Sequence, residues 1–278
     1  MTALSSNAAV MTAPSSNAAV MTAPSSNAAV MNTSLHSKRV LVIGAGGLGC
    51  PVATILAKSG VGTIDIADDD VVDISNVQRQ TLFSLDDAGQ SKARLAAQRL
   101  PEIANQQGHS IHCTALETRV LPDNALDIVR GYDLVIEGCD NFASKFLIAD
   151  ACRLAGVSLV QAGAVRWVGW ALGIDAGSAS SGACLRCVFE DVPAGIQDTC
   201  AAAGVLGPVV GVVGALQAAI ALRILHGDTK ASGELIRYAA LDGRLRRTRI
   251  HRQQHCPLCA GRIVDLRTER YVPADCAA

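Results

Sequence analysis

From Lys38 onward, short apolar runs alternate with amphipathic stretches in a regular order. Arg39–Ile43 is an aliphatic and β-branched run that ends at Gly44, the pattern of a strand buried on both faces. Residues 48–59 have helical spacing, and Gly60 ends the stretch. Residues 62–67 predict a second strand, followed by a polar loop with Asp68, Asp69 and Asp70. A helix is expected over 91–100, stopped by Pro101, because proline lacks the N–H that would continue the ladder. Further strands are expected at 110–116, 133–137 and 158–162, with helices near 124–130 and over Phe142–Ala155. Alternating β and α elements predict an α/β fold with a Rossmann-like, doubly wound, mostly parallel sheet.

After residue 162 the pattern changes. Residues 164–174 read as an extended strand or hairpin, and a Gly/Ser-rich loop then carries a first cysteine pair. The stretch 205–225 is long and apolar, but Gly207, Pro208, Gly211, Gly214, Gln217 and Arg223 interrupt it. It reads as a buried helix, not a membrane span. Strands near 235–241 and 245–250 and a second cysteine pair complete this half. Antiparallel strands continuing the same sheet are expected here.

The first thirty residues are three near-identical decapeptides, MTALSSNAAV, MTAPSSNAAV and MTAPSSNAAV. They carry almost no large apolar side chain to offset the entropy of ordering, so disorder is expected. Each repeat begins with Met, as does Met31, which makes Met31 a candidate translation start. The expected division is a disordered extension over 1–37, a single domain over 38–265 and a tail over 266–278.

Composition narrows the function classes. Of 278 residues, 50% are hydrophobic and only 3% aromatic, so the core must be built from Ala, Val, Leu and Ile. That suits a sheet covered by helices. A net charge of -1 gives no global attraction to nucleic acid or to an anionic membrane. No basic segment followed by an apolar one opens the chain, so a cytoplasmic protein is expected. In that setting the ten cysteines point to metal ligation or catalysis before a disulfide framework.

Gly44-Ala45-Gly46-Gly47-Leu48-Gly49 fits G-x-G-x-x-G between a strand and a helix. Gly44, Gly46, Gly47 and Gly49 let the backbone turn tightly and approach a phosphate at the helix N-terminus. Asp68, at the end of the second strand, stands where an acid holds ribose hydroxyls. This much says nucleotide without saying which one, and an NAD-dependent oxidoreductase competes at this point. The run from Asp68 to Lys92 adds Ser75, Asn76, Arg79 and Gln80. A triphosphate needs cations against its phosphates, and Arg79 and Lys92 can supply them. Taken singly, these residues read first as ordinary polar and charged positions on a solvated loop.

The whole pattern adds more. The glycine loop, Asp68-Asp69-Asp70, Ser75-Asn76-Val77-Gln78-Arg79-Gln80, Gly89-Gln90-Ser91-Lys92 and Cys139-Asp140-Asn141 together resemble the MoeB/ThiF/HesA family, bacterial relatives of ubiquitin-activating enzymes. The resemblance runs from about Lys38 to Gly261. It implies ATP as substrate, with Asp68 on the ribose, Asn76, Arg79 and Lys92 on the phosphates, Asp140 holding magnesium and Asn141 beside it. It implies adenylation of the terminal glycine carboxylate of a ubiquitin-like sulfur carrier ending in Gly-Gly, and a homodimer. Nothing before Lys38 matches the R-Y-x-R-Q-like segment with which members begin, which keeps a non-catalytic carrier-binding relative among the readings. No rhodanese-like domain follows, so the expected sulfur donor is a separate protein.

Cys184-Leu185-Arg186-Cys187 and Cys256-Pro257-Leu258-Cys259 are two C-x-x-C pairs. Four thiolates suit a closed tetrahedral zinc site, here a structural clip joining distant segments. The family resemblance implies zinc at the same positions. Cys200 precedes the apolar helix, and by resemblance lies in a loop near the adenylate, where members differ on whether the cysteine is needed. Cys50, Cys113, Cys139, Cys152 and Cys276 read as small hydrophobes or plain thiols.

Overall fold

The computed structural model describes residues 34–176, 182–192 and 204–271. The decapeptide repeats, Cys200 and Cys276 lie outside the described residues. The eight strands are β1 (Arg39–Ile43), β2 (Thr63–Ala67), β3 (Ala115–Leu116), β4 (Leu134–Glu137), β5 (Ser158–Val165), β6 (Val168–Ile174), β7 (Glu234–Ala239) and β8 (Arg244–Arg249). They form one sheet in the order β3-β2-β1-β4-β5-β6-β7-β8. The first five strands in that order are parallel, and β6, β7 and β8 add on antiparallel. The second half thus continues the sheet of the first, as its strand pattern predicts.

The helices are α1 (Gly49–Lys58), α2 (Ile74–Val77), α3 (Lys92–Asn105), α4 (Ala125–Val129), α5 (Phe142–Ala155), α6 (Arg186–Phe189) and α7 (Gly207–Leu225). Helices α1, α3 and α7 cover one face of the sheet, and α4 and α5 cover the other. This layering explains why β1 shows no polar alternation. Val40 and Val42 point into the α1–α3–α7 core, while Leu41 and Ile43 point into the α5 core.

Among the described residues, α7 is the helix long and apolar enough to cross a membrane. It packs instead against α1, β5 and β6. Glycine makes the approach possible: a Cβ on Gly169 would lie 2.3 Å from Val213, and one on Gly214 would lie 2.5 Å from Pro51. Gln217, fully buried on α7, donates to the carbonyls of Glu137 at 2.7 Å and Val160 at 3.0 Å.

Three local expectations change. Helix α3 does not stop at Pro101 but runs through it to Asn105. Leu100 and Ala104 are fully buried on either side of the proline. Burying them offsets the roughly 3 kcal/mol that an interior proline costs. The strand expected over 110–116 is laddered only at Ala115–Leu116, with a lone bridge at His112. The carboxylate of Asp65, itself on β2, takes the Thr114 N–H at 2.8 Å in place of a backbone carbonyl of that strand. Packed chain also continues past both edges of the expected domain. Leu35 lies against the core in a short 3-10 helix, and Tyr271 is buried at the other end.

Candidate nucleotide-binding cavity and cysteine centre

The loops that leave β1, β2 and β4 at their C-terminal ends enclose a cavity of about 310 Å³. That volume is within the range of small-molecule sites. The first wall is the glycine loop. Gly44 adopts φ +92°, and its N–H donates to Ala67 O at 2.8 Å. Gly44, Gly46 and Gly47 line the cavity. Gly49 does not: it is the first residue of α1 and packs behind the loop. A Cβ there would sit 1.8 Å from Gly44 O, so the turn closes only on glycine. Gly49→Ala is expected to displace the loop, cost about 1–3 kcal/mol of stability and weaken nucleotide binding about 100-fold. Isothermal titration and thermal melting check this; wild-type affinity would show the loop has room to spare.

Asp68 fastens β2 to this wall. Its Oδ2 accepts from Ala45 N at 2.6 Å and its Oδ1 from Asp70 N at 2.8 Å. Burial raises its carboxyl above the usual range.

The second wall is α2 and the turn after it. Asp73 caps α2 by accepting from Ser75 N at 2.8 Å, and its carboxylate also takes the Ser75 hydroxyl at 2.7 Å. Ser75 therefore spends its polar atoms on the cap, faces solvent and does not line the cavity. Asn76, Arg79 and Gln80 do. The Arg79 guanidinium donates to Asn76 Oδ1, which fixes its direction. Gln80 is 4% exposed, and its Oε1 has no partner. A buried amide oxygen left open costs about 1–3 kcal/mol, and a donor on a bound ligand would remove that cost.

Lys92 opens α3, where Ser91 caps the helix by accepting from Arg94 N. Its Nζ bonds Asp70 Oδ2 at 2.9 Å, with only 6% of the side chain exposed. The third wall is the turn from β4 into α5. Gly138, Cys139, Asp140 and Asn141 line it. Asn141 caps α5 by accepting from Ser144 N at 2.8 Å. Asp140 is exposed, and the nearest donor to it is Asn141 Nδ2 at 3.5 Å. Its carboxylate is thus open to a cation carried by a phosphate ligand, the way magnesium is usually held.

The sequence pattern gave Asp69 no role and left out Thr118, Arg119 and Val120, all of which line the cavity. The last three follow β3. The rule that doubly wound sheets bind ligands beyond the C-terminal ends of their strands could have found them. Removal from solvent pushes the thiols of Cys50 and Cys113 up to about 12 and raises those of Cys139 and Cys152, which disfavours the thiolate form in all four.

The four paired cysteines meet behind α5. Cys184 Sγ lies 3.4 Å from Cys256 Sγ, 3.4 Å from Cys259 Sγ and 3.8 Å from Cys187 Sγ, while Cys187 and Cys259 are 3.6 Å apart. These separations are too long for disulfides. They match the roughly 3.8 Å edge of a tetrahedron with metal–sulfur bonds near 2.3 Å. Backbone N–H groups of Gln253 and Cys259 point at Cys187 Sγ and Cys256 Sγ, as donors do around thiolates. The donor set fits zinc, and His255 is not part of it. Arg186, between the first two cysteines, bonds both carboxylate oxygens of Asp150 on α5 at 3.0 and 2.9 Å. Tyr271 donates to the same carboxylate at 2.9 Å. The cysteine centre is thereby tied to the helix whose first turn forms the third cavity wall.

A model of the ThiF family matches residues 22–258. The chain is similar to the adenylyltransferase and sulfurtransferase MOCS3 of Mus musculus, 41% identical over 85% of this chain and 51% of that one. It is similar to the sulfur carrier protein adenylyltransferase of Thermus thermophilus, 38% identical over 79% of this chain and 81% of the other. The sulfur carrier protein ThiS adenylyltransferase of Escherichia coli is 37% identical over 83% and 89% of the respective chains. The chain spans about half the length of the MOCS3 relatives. Among solved structures, Escherichia coli MccB superposes with a TM-score of 0.71 at 22% identity, covering 83% of this chain and 67% of that one. At that identity the likeness shows the fold.

Proposed function

The chain belongs to the ThiF family, and from that premise we propose that it is an ATP-dependent adenylyltransferase. Its substrate is the C-terminal glycine carboxylate of a ubiquitin-like sulfur carrier ending in Gly-Gly. The product prepares the carrier for thiocarboxylate formation in molybdopterin, thiamine or related biosynthesis. One observation carries the reading: Arg79, Lys92 and the open carboxylate of Asp140 converge with the glycine loop on one cavity. A nicotinamide site needs the loop and Asp68 but has no use for two cations beside them.

The chemistry follows from charge. A carboxylate and a triphosphate repel, so their approach needs fixed positive groups. The glycine loop and the start of α1 present N–H groups to phosphate. Asp68 retains acceptor capacity for ribose hydroxyls, and Gln80 Oε1 accepts a donor from the nucleotide. Arg79 and Lys92 offset charge as a carrier carboxylate oxygen bonds to the α-phosphorus and the bond to pyrophosphate breaks. Asp140 would hold magnesium, which supplies further neutralisation of the phosphates when bound. Cys184, Cys187, Cys256 and Cys259 would hold a zinc ion whose role is structural. A homodimer, a separate sulfur-donor protein and a cytoplasmic location complete the proposal.

Exchange of labelled pyrophosphate into ATP tests it. Exchange is expected on adding a MoaD- or ThiS-like carrier and is lost when the terminal glycine is removed. Tight NADH binding without exchange would overturn the reading. Carrier binding with no exchange would make the chain a non-catalytic relative.

A further inference from the structure

Directly under the third wall lies an ion pair that makes no contact with the cavity. Glu137 ends β4 and is fully buried; Lys145, on the first turns of α5, is 5% exposed. Lys145 Nζ bonds Glu137 Oε1 at 2.9 Å and Oε2 at 3.0 Å, donates to Ala162 O, and lies 5.6 Å from the centre of the Trp170 ring. Gln161 donates to Glu137 Oε2 at 3.3 Å. The remaining bond leads out of the cluster: Glu137 Oε1 accepts the backbone N–H of Cys139 at 2.6 Å. That closes a tight turn over Gly138, whose N–H donates to Ile43 O at 2.9 Å. Asp140 follows immediately.

Stability alone does not account for this pair. A buried ion pair contributes no more than a well-packed apolar pair of the same volume. Its distinctive property is direction, because an ionised carboxylate is the strongest available acceptor for a single backbone N–H. Burial disfavours the charged form of Glu137, and the Lys145 ammonium opposes that. The charge on Lys145 is therefore transmitted, through Glu137, to the backbone that carries Asp140.

We infer that Lys145 and Glu137 are positioning residues, which fix the Gly138–Cys139 turn and so aim Asp140 into the cavity. The kinetic consequence rests on the adenylation reading; the structural one does not. Asp68, Arg79 and Lys92 are bonded to Ala45, Asn76 and Asp70 and not to this pair, so on the adenylation reading their hold on the nucleotide does not run through it. Misplacing Asp140 thus costs transition-state stabilisation more than ground-state binding, which lowers kcat and spares KM.

The test compares Lys145→Met, Lys145→Arg and the double variant Glu137→Gln/Lys145→Met with wild type. In the chain alone, Lys145→Met is expected to speed amide hydrogen exchange at Cys139 about tenfold or more, with β1 and the centre of α5 unchanged. In the pyrophosphate-exchange assay its kcat falls about 30- to 100-fold while KM for ATP stays within about threefold. Lys145→Arg, which keeps the charge, returns both readouts to within about threefold of wild type. The double variant recovers melting temperature but not kcat. Wild-type protection of Cys139 in Lys145→Met overturns the inference. So does a kcat that recovers in step with melting temperature, or an equal change in kcat and KM, since each is what a merely structural pair would give. A wild-type chain with no exchange activity refutes the adenylation reading instead, and the amide-exchange arm still decides whether the pair holds the turn.

Discussion

Asp140→Ala is expected to lower carrier-dependent ATP–pyrophosphate exchange by about 100- to 1,000-fold with little change in melting temperature. The two halves of this expectation have different sources. Asp140 is exposed, and its nearest donor is 3.5 Å away, so the fold loses almost nothing with it. Its carboxylate nevertheless belongs to the cavity wall shared by the glycine loop, Arg79 and Lys92. On the proposed reading, that carboxylate holds the divalent cation against the phosphates, and without it the negative charge of two anionic reactants is left to Arg79 and Lys92. Asp140→Asn, which keeps shape and removes charge, should fall nearly as far. Wild-type turnover in either variant would refute the placement of the metal at Asp140. Loss of turnover together with loss of fold would instead assign Asp140 a structural role.

The second large effect belongs to the cysteine centre. Cys184→Ser is expected to abolish stoichiometric zinc and to lower the melting temperature by more than about 10 °C. Cys184 is 2% exposed and stands within 3.8 Å of all three other thiols. A structural zinc ion binds with a free energy on the order of 10 kcal/mol, and that energy is folding energy when the site exists only in the folded chain. The consequence extends beyond the clip, because Arg186 sits between two of the ligands and is paired with Asp150 on α5. A strong chelator should reproduce the loss in wild type, and Cys113→Ser, away from the centre, should not. Metal analysis and thermal melting read the outcome; unchanged metal content and melting in Cys184→Ser would remove zinc from the account.

Much of this was legible along the chain wherever the signal was local. The glycine loop is written in six consecutive residues, and its strand-loop-helix setting follows from the apolar periods on either side. The C-x-x-C spacing prescribes two ligands on one turn. Phe142–Ala155 was bounded correctly because Asn141 caps its start and Gly156, at φ +68°, ends it. Pro101 misled because a local penalty of roughly 3 kcal/mol was set against burial contributed by distant strands. Ser75 shows the opposite case: the motif position suggests a ligand contact, and in the structure its N–H and hydroxyl donate to the neighbouring Asp73, away from the cavity lining.

By itself, then, the sequence determined the α/β class, the nucleotide loop, the cysteine quartet and, through the combination of its motifs, the family. Tertiary structure alone decided which side chains share the cavity, that Gly49 packs behind the loop and does not line the cavity, and that Gln80 carries an unpartnered oxygen. It alone brought Glu137, Lys145 and Gln161 together beneath Asp140, and joined Arg186 to Asp150 and Tyr271. The physical reason is one of range. Periodicity, caps and turns are set by neighbours a few residues apart, and a sequence displays them directly. Burial, pairing and charge placement are set by residues tens of positions apart, and become definite only when the sheet order puts them side by side.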